Sequence, residues 1–90
     1  MLNAQPHDWI DQFTQMRVAV IGEAILDRYV HGTMERIAPE AAAPIIDAQS
    51  EQCFAGGAAN TAANLAAMGA QATLFSVLGE DENGRRLRTL

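Results

Sequence analysis

The sequence predicts an α/β layer fold: a mostly parallel sheet flanked by helices, with a small β insertion. Three observations point there. Two short runs rich in β-branched and apolar residues, 17–21 (RVAVI) and 72–78 (ATLFSVL), are each closed by a glycine, Gly22 and Gly79. Runs of this kind suit buried strands of a parallel sheet. Between them lies an alanine-rich stretch, Gly56 to Met68, with high helix propensity and a thin profile for close packing on a sheet. Strand, helix and strand in that order make a right-handed βαβ unit, which implies helices layered on a sheet.

The elements follow in chain order. Residues 1–16 are expected to form an N-terminal helix. Trp9, Phe13 and Met16 fall at i, i+4 and i+7, Pro6 suits a first turn, and Asp8 sits near the positive end of the dipole. Strand 17–21 comes next. The segment 24–54 contains Gly32, Pro39 and Pro44, which break any helix. Tyr29-Val30 and Pro44-Ile45-Ile46 read as short strands there, so irregular strands and loops in a small projecting sheet are expected. In the alanine-rich helix, Thr61, Leu65 and Met68 are expected to face the core, with Asn60 and Asn64 on a neighbouring face. Gly69 is the natural stop. After strand 72–78, the acids Glu80, Asp81 and Glu82 precede a helix over 84–90. Its Arg85, Arg86 and Arg88 are expected to stay solvated while Leu87 and Leu90 pack. Two parallel strands do not make an independently stable sheet, so the chain reads as the front end of a larger domain.

Composition narrows the function classes. The 90 residues are 49% hydrophobic and 19% charged, which is globular rather than disordered. A single cysteine, Cys53, forms no intrachain disulfide. Six basic against eleven acidic residues leave a net charge of −5, without the basic face that nucleic acid or an anionic membrane requires. Residues 1–16 contain no Lys or Arg and no apolar core of a signal peptide. The uncharged stretch between Glu51 and Glu80 is long enough to span a bilayer, but it carries Gln52, Asn60, Asn64 and Gln71 among many alanines. The expectation is a cytoplasmic protein with no nucleic-acid or membrane partner.

Two motifs could carry chemistry. In Ala55-Gly56-Gly57-Ala58-Ala59-Asn60, a glycine pair directly before a helix lets a ligand approach backbone N–H groups. Asn60 offers a donor and an acceptor side by side, which suits a sugar hydroxyl. A turn that only permits close packing of helix and strand explains the same residues. In Gly22-Glu23-Ala24-Ile25-Leu26-Asp27, a carboxylate lies just past the carboxyl end of the first strand, where open α/β sheets place ligands. Asp27 could accept two hydroxyl hydrogen bonds, or could cap a helix or pair with Arg28 or Arg36. No dinucleotide fingerprint and no Walker A loop is present. Asp81, Asn83 and Gly84 mimic part of a calcium loop, but Gly79 and Leu90 stand at its first and last ligand positions. His7, His31 and Cys53 lack metal-ligand spacing, and Cys53 is expected to be a buried small hydrophobe.

Taken together, these features resemble the ribokinase-like (PfkB) carbohydrate kinases. The first signature of that family is matched by the small-Gly-Gly run at Ala55, by Asn60 and Ala62, and by Gly69 and Gly79. The segment GEAILDRYVHGTMERIAPEAAAPII, Gly22 to Ile46, is similar to the D-glycero-β-D-manno-heptose-7-phosphate kinases within it, as is GGAANTAANLAAMGAQATLFSVLGEDENGRRL. Glu23 stands where that subgroup usually has Asp, Ala38 where it has Ser, and Ala42 where it has Pro. The resemblance implies the N-terminal part of a ribokinase-like fold over residues 17–90, with a β-lid at about 28–54. It implies phosphoryl transfer from ATP, with Mg²⁺, to the anomeric hydroxyl of a heptose 7-phosphate in lipopolysaccharide core synthesis. By position, Asp27, Gly56, Gly57 and Asn60 would hold sugar hydroxyls, and Arg36 or Arg28 would meet the 7-phosphate unless paired with Glu40 or Glu35. The lid would close over the sugar and form a homodimer contact. The family's catalytic Asp lies in a GAGD motif that does not occur in these 90 residues. No catalytic or metal-binding residue is therefore assigned to this chain, and ATP and Mg²⁺ are expected to bind elsewhere. A non-catalytic sugar-binding module, or a kinase for another sugar, fits the same motifs.

Overall fold

The computed structural model describes residues 5–90; residues 1–4 of the expected N-terminal helix lie outside that range. Helix α1 (Pro6–Asp11) passes into a single 3-10 turn (Gln12–Gln15), where one continuous helix is expected. The Asp8 carboxylate accepts from the Gln5 N–H at 3.0 Å and fixes the start. At the other end the Thr14 hydroxyl reaches back to the Asp11 carbonyl at 3.4 Å, and the last turn tightens. Phe13 is half-buried, while Trp9 and Ile10 stay exposed, so most of the apolar stripe lacks a partner.

Strand β1 (Arg17–Ile21) leads into a long hairpin, β2 (Ala24–Ile37) and β3 (Pro44–Gly57). Helix α2 (Ala58–Ala67), strand β4 (Gln71–Phe75) and helix α3 (Glu82–Thr89) complete the described chain. β1 and β4 pair in parallel, from Arg17↔Gln71 to Ile21↔Phe75, and α2 packs on both. The expected parallel strand–helix–strand unit is present. β4 stops at Phe75 rather than residue 78 because β1 ends at Ile21. Gly22 N–H makes the last rung to the Phe75 carbonyl at 3.2 Å, leaving Ser76 to Leu78 nothing to pair with.

The sheet is covered on one side. Val18, Val20, Ala72 and Leu74 are half-buried, whereas Arg17, Ala19, Ile21, Gln71, Thr73 and Phe75 are exposed on the opposite face. Ile21 is 82% exposed and Val77 92%, apolar side chains without cover among the described residues. The total accessible surface is 7236 Å², against about 5,100 Å² for a globular monomer of this mass.

The face that α2 turns to the sheet includes Leu65, as expected, but neither Thr61 nor Met68. Ala59 is buried and Ala58, Ala62 and Leu65 are half-buried, while Thr61 and Met68 point outward. A Cβ at Gly22 would lie 3.1 Å from the Ala58 side chain, so the alanine side of the helix sits against the end of β1.

The hairpin replaces the irregular strands and loops expected over 24–54. It is a continuous antiparallel ladder from Ala24↔Gly57 to Ile37↔Pro44, with register shifts only at His31/Gly32 and Met34/Arg36. Each helix breaker sits where a ladder tolerates it: Gly32 at a shift, Pro44 at a strand's first residue, Pro39 in the connecting turn. The hairpin projects and stretches the molecule to 62 Å along its longest axis. The radius of gyration is 19.1 Å, compared with about 12 Å for a compact chain of this length.

α3 begins two residues earlier than expected, because Asp81 caps it and accepts from Gly84 N–H at 2.8 Å. Leu87 packs inward while Leu90 remains 61% exposed.

The packing of α2 gives a direct test. In the complete gene product, Leu65→Ala is expected to cost about 1–2 kcal/mol, a half-buried leucine losing less than a fully buried one. Thr61→Ala should change stability by less than about 0.5 kcal/mol, as an exposed helix position does. Urea unfolding midpoints decide between the two, and equal losses would reverse the assignment of faces.

Candidate functional site

The end of β1, both ends of the hairpin and the start of α2 converge on one corner. Gly57 caps α2 with φ +58, and its neighbour Ala58 donates its N–H to the Glu23 carbonyl at 2.8 Å. A Cβ at Gly57 would lie 2.5 Å from that carbonyl, so geometry and space both require glycine there. The bond ties the outgoing hairpin strand to the incoming one, and the remaining first-turn N–H groups of α2 have no intrahelical partner.

Asp27 lies three residues into β2, opposite Phe54. Its half-buried carboxylate sits directly over Gly56, and a Cβ at Gly56 would fall on it. Gly56 is itself buried. The second glycine of the pair thus serves the turn, and the first makes room for the Asp27 carboxylate. Asp27 appears in no ion pair among the described residues, so the alternatives of a cap or a bridge to Arg28 or Arg36 are not adopted. Asn60 is exposed in the first turn of α2, three residues beyond Gly57. On the same hairpin face as Asp27, Tyr29 meets Phe54 edge to face with ring centroids 5.5 Å apart.

Arg28 falls on the opposite face, as strand alternation requires. Its Nη2 and Nε donate to the two Glu51 carboxylate oxygens at 2.7 and 3.2 Å. Arg86 of α3 donates to the same carboxylate at 2.7 Å and to Glu82 at 3.0 Å. Arg36 lies nine residues further along β2 than Asp27, roughly 30 Å at strand rise. Arg28 is thus held by Glu51 behind the ladder rather than by Glu35 or Glu40, and Arg36 lies near the hairpin tip opposite Ile45. Two further expectations are corrected. Arg86 is engaged rather than merely solvated, and Cys53 is only half-buried, with Sγ 3.8 Å from Arg86 and 3.6 Å from Glu51. Bonds from Arg28 and then Arg86 hold the Glu51 carboxyl at about 2, below the ordinary 4.5.

Sequence reasoning missed Ser76. Its hydroxyl accepts from Ala24 N–H at 2.9 Å and so joins the end of β4 to the root of the hairpin. With Ile21, Gly22, Glu23, Phe75 and Val77 it lines a cleft of about 560 Å³ at the carboxyl ends of both parallel strands. Its position just after a strand was the available signal.

Residues 15–90 match the family described as pfkB family carbohydrate kinase. The chain belongs to that family. Its relatives include the bifunctional protein HldE of Nitrosococcus oceani, 46% identical over 90 residues, which is all of this chain and 18% of that protein. HldE of Pseudomonas aeruginosa is 49% identical over 71 residues, 79% of this chain and 15% of that protein. The D-beta-D-heptose 7-phosphate kinase of Bordetella bronchiseptica is 44% identical over 80 residues, 89% of this chain and 26% of that protein. The chain thus spans about a fifth of the length of the curated relatives it matches. The matched residues include Gly56 and Gly57, at the corner where hairpin and helix meet.

Two outcomes test the corner. Gly57→Ala should lower the unfolding midpoint of the complete gene product by about 1–2 kcal/mol or more, for a left-handed alanine pressed on a carbonyl. An unchanged midpoint would mean the turn adapts. Glu51 should titrate near 2 by carboxyl NMR. Because its value is depressed in the folded state, the stabilisation it adds is complete above 4.5 and lost as pH falls toward 2. A midpoint at 4.5 would show that the arginine bonds do not form in solution.

Proposed function

We propose that this chain is the sugar-binding portion of an ATP-dependent carbohydrate kinase acting on heptose 7-phosphate at its anomeric hydroxyl. The observation that carries the reading is the Asp27 carboxylate set over the glycine pair that opens α2. The names of the relatives, HldE and heptose 7-phosphate kinase, support the substrate class.

In this reading Asp27 accepts hydrogen bonds from two sugar hydroxyls, as a carboxylate with two oxygens can. Gly56 and Gly57 leave the backbone open to the sugar ring, and Asn60 donates and accepts at a third position. The N-terminus of α2 adds a partial positive charge to the site. The hairpin acts as the lid, closing over the sugar so that phosphate goes to the hydroxyl rather than to water. Its outward apolar side chains, Val30, Met34 and Ile46 among them, suit a contact with a second copy. A cytoplasmic location fits such an enzyme. No described helix is long and apolar enough to cross a membrane.

The described residues offer no ready ligand set for Mg²⁺. No group of three or more His, Cys, Asp or Glu gathers among the described residues, and no Lys follows the glycine pair. Phosphoryl transfer rests on positioning and charge stabilisation at the γ-phosphate. Those groups are read as belonging to the remainder of the longer protein, and the 90-residue chain alone is expected to be inactive.

The test is ATP-dependent phosphorylation by the complete gene product across heptose 7-phosphate, fructose 6-phosphate and ribose. Selective turnover of heptose 7-phosphate is the expected result. Asp27→Ala should then raise KM at least about tenfold, the loss of charged hydrogen bonds worth over 1.4 kcal/mol. Turnover of another sugar alone would move the specificity, with Glu23 as the first residue to revert. No turnover at all would favour the non-catalytic module, and turnover by the isolated chain would overturn the division of labour.

A further inference from the structure

The hairpin leaves the rest of the molecule through a narrow root. Backbone bonds at Ala58–Glu23 and the Ala24–Ser76 bond secure that root. Beyond it, the described residues contain one ion pair between the hairpin and the body, Arg86 of α3 to Glu51 of β3. Glu51 is already gripped by Arg28 of β2, and Arg86 is steadied from its own helix by Glu82 four residues earlier. Three elements thus share a single carboxylate. The four charges sum to zero, and both arginines present fixed planar forks rather than swivelling ammonium groups.

We propose that Arg86 is a positioning residue: through Glu51 it holds the hairpin at one angle to the body, and so holds the Asp27 carboxylate in place relative to Asn60 and the first turn of α2, with which it would share the sugar. Arg28 is the neighbour of Asp27 on β2, with its side chain on the other face. A displacement of the ladder at Glu51 therefore moves the Asp27 carboxylate with it. The last clause rests on the sugar-site reading above, but the angular restraint does not. An isolated exposed pair contributes little to stability, yet the same bond acting on a projecting lever restricts its swing. The function lies in that restriction.

The experiment uses the complete gene product with its native cysteines replaced by serine and spin labels at His31→Cys and Ala63→Cys. Both sites are exposed, one on the hairpin and one on α2. The distance distribution is expected to be narrow, and to widen about twofold or more in Arg86→Met and in the isosteric Glu51→Gln. Arg86→Lys should recover part of the narrowing, and about 1 M salt should widen the parent but not Arg86→Met. An unchanged width in both variants overturns the proposal. In parallel, Arg86→Met should raise KM for heptose 7-phosphate about threefold or more with kcat within about twofold, the pattern of lost ground-state binding. Where Asp27→Ala raises KM, a widened distribution with unchanged KM overturns the positioning role. If Asp27→Ala leaves sugar affinity intact while the width still responds to Arg86, the sugar-site reading falls and the restraint stands.

Discussion

The hydrogen bond from Ala58 N–H to the Glu23 carbonyl closes the corner on which the other features depend. It requires the left-handed turn at Gly57, and that turn lets a strand become a helix within one residue. The same bond returns the chain to the place where it left β1. Hairpin, helix and parallel strands are thereby referred to one point, and Asp27 is measured from that point. A larger residue at either glycine acts on the fold and the candidate site together.

Much of this was legible in the residues, and the errors share a cause. The parallel strands were visible because β-branched residues at 17–21 and apolar residues at 72–75 leave little choice of conformation. Glycines 56 and 57 marked the helix start for the same reason. The hairpin was not legible, because Gly32, Pro39 and Pro44 argue against a helix without saying where a ladder could accept them. That is fixed by the pairing partner, which local sequence does not contain. The outward placement of Thr61 and Met68 has a related origin: the i, i+4, i+7 spacing through Leu65 suggests one core face, whereas the buried side is the adjacent one of Ala58, Ala59, Ala62 and Leu65.

The candidate site divided in the same way. The glycine pair could be placed because a helix start has fixed geometry, whereas Asp27, expected just past β1, lies within the hairpin strand β2. Arg28 could not, since strand alternation alone puts it behind the ladder, and Gly32, Pro39 and Pro44 hide that alternation in the sequence. Glu51 and Arg86 stand 35 residues apart in sequence. Neither carries a motif, and only the tertiary arrangement brings them together.

The long insertion between β1 and β4 also bears on how the chain can vary. Arg17 must find Gln71 across the whole hairpin. The ladder brings Ala24 back beside Gly57, so the loop that β1–β4 pairing must close is far shorter than the sequence between them. Loop-closure entropy grows only logarithmically, and this shortcut saves about 1 kcal/mol. Once the root is paired, residues added or removed at the tip do not alter the closure at all. The tip is therefore a part of the chain where length can drift at almost no cost to the sheet, while the root tolerates no such change.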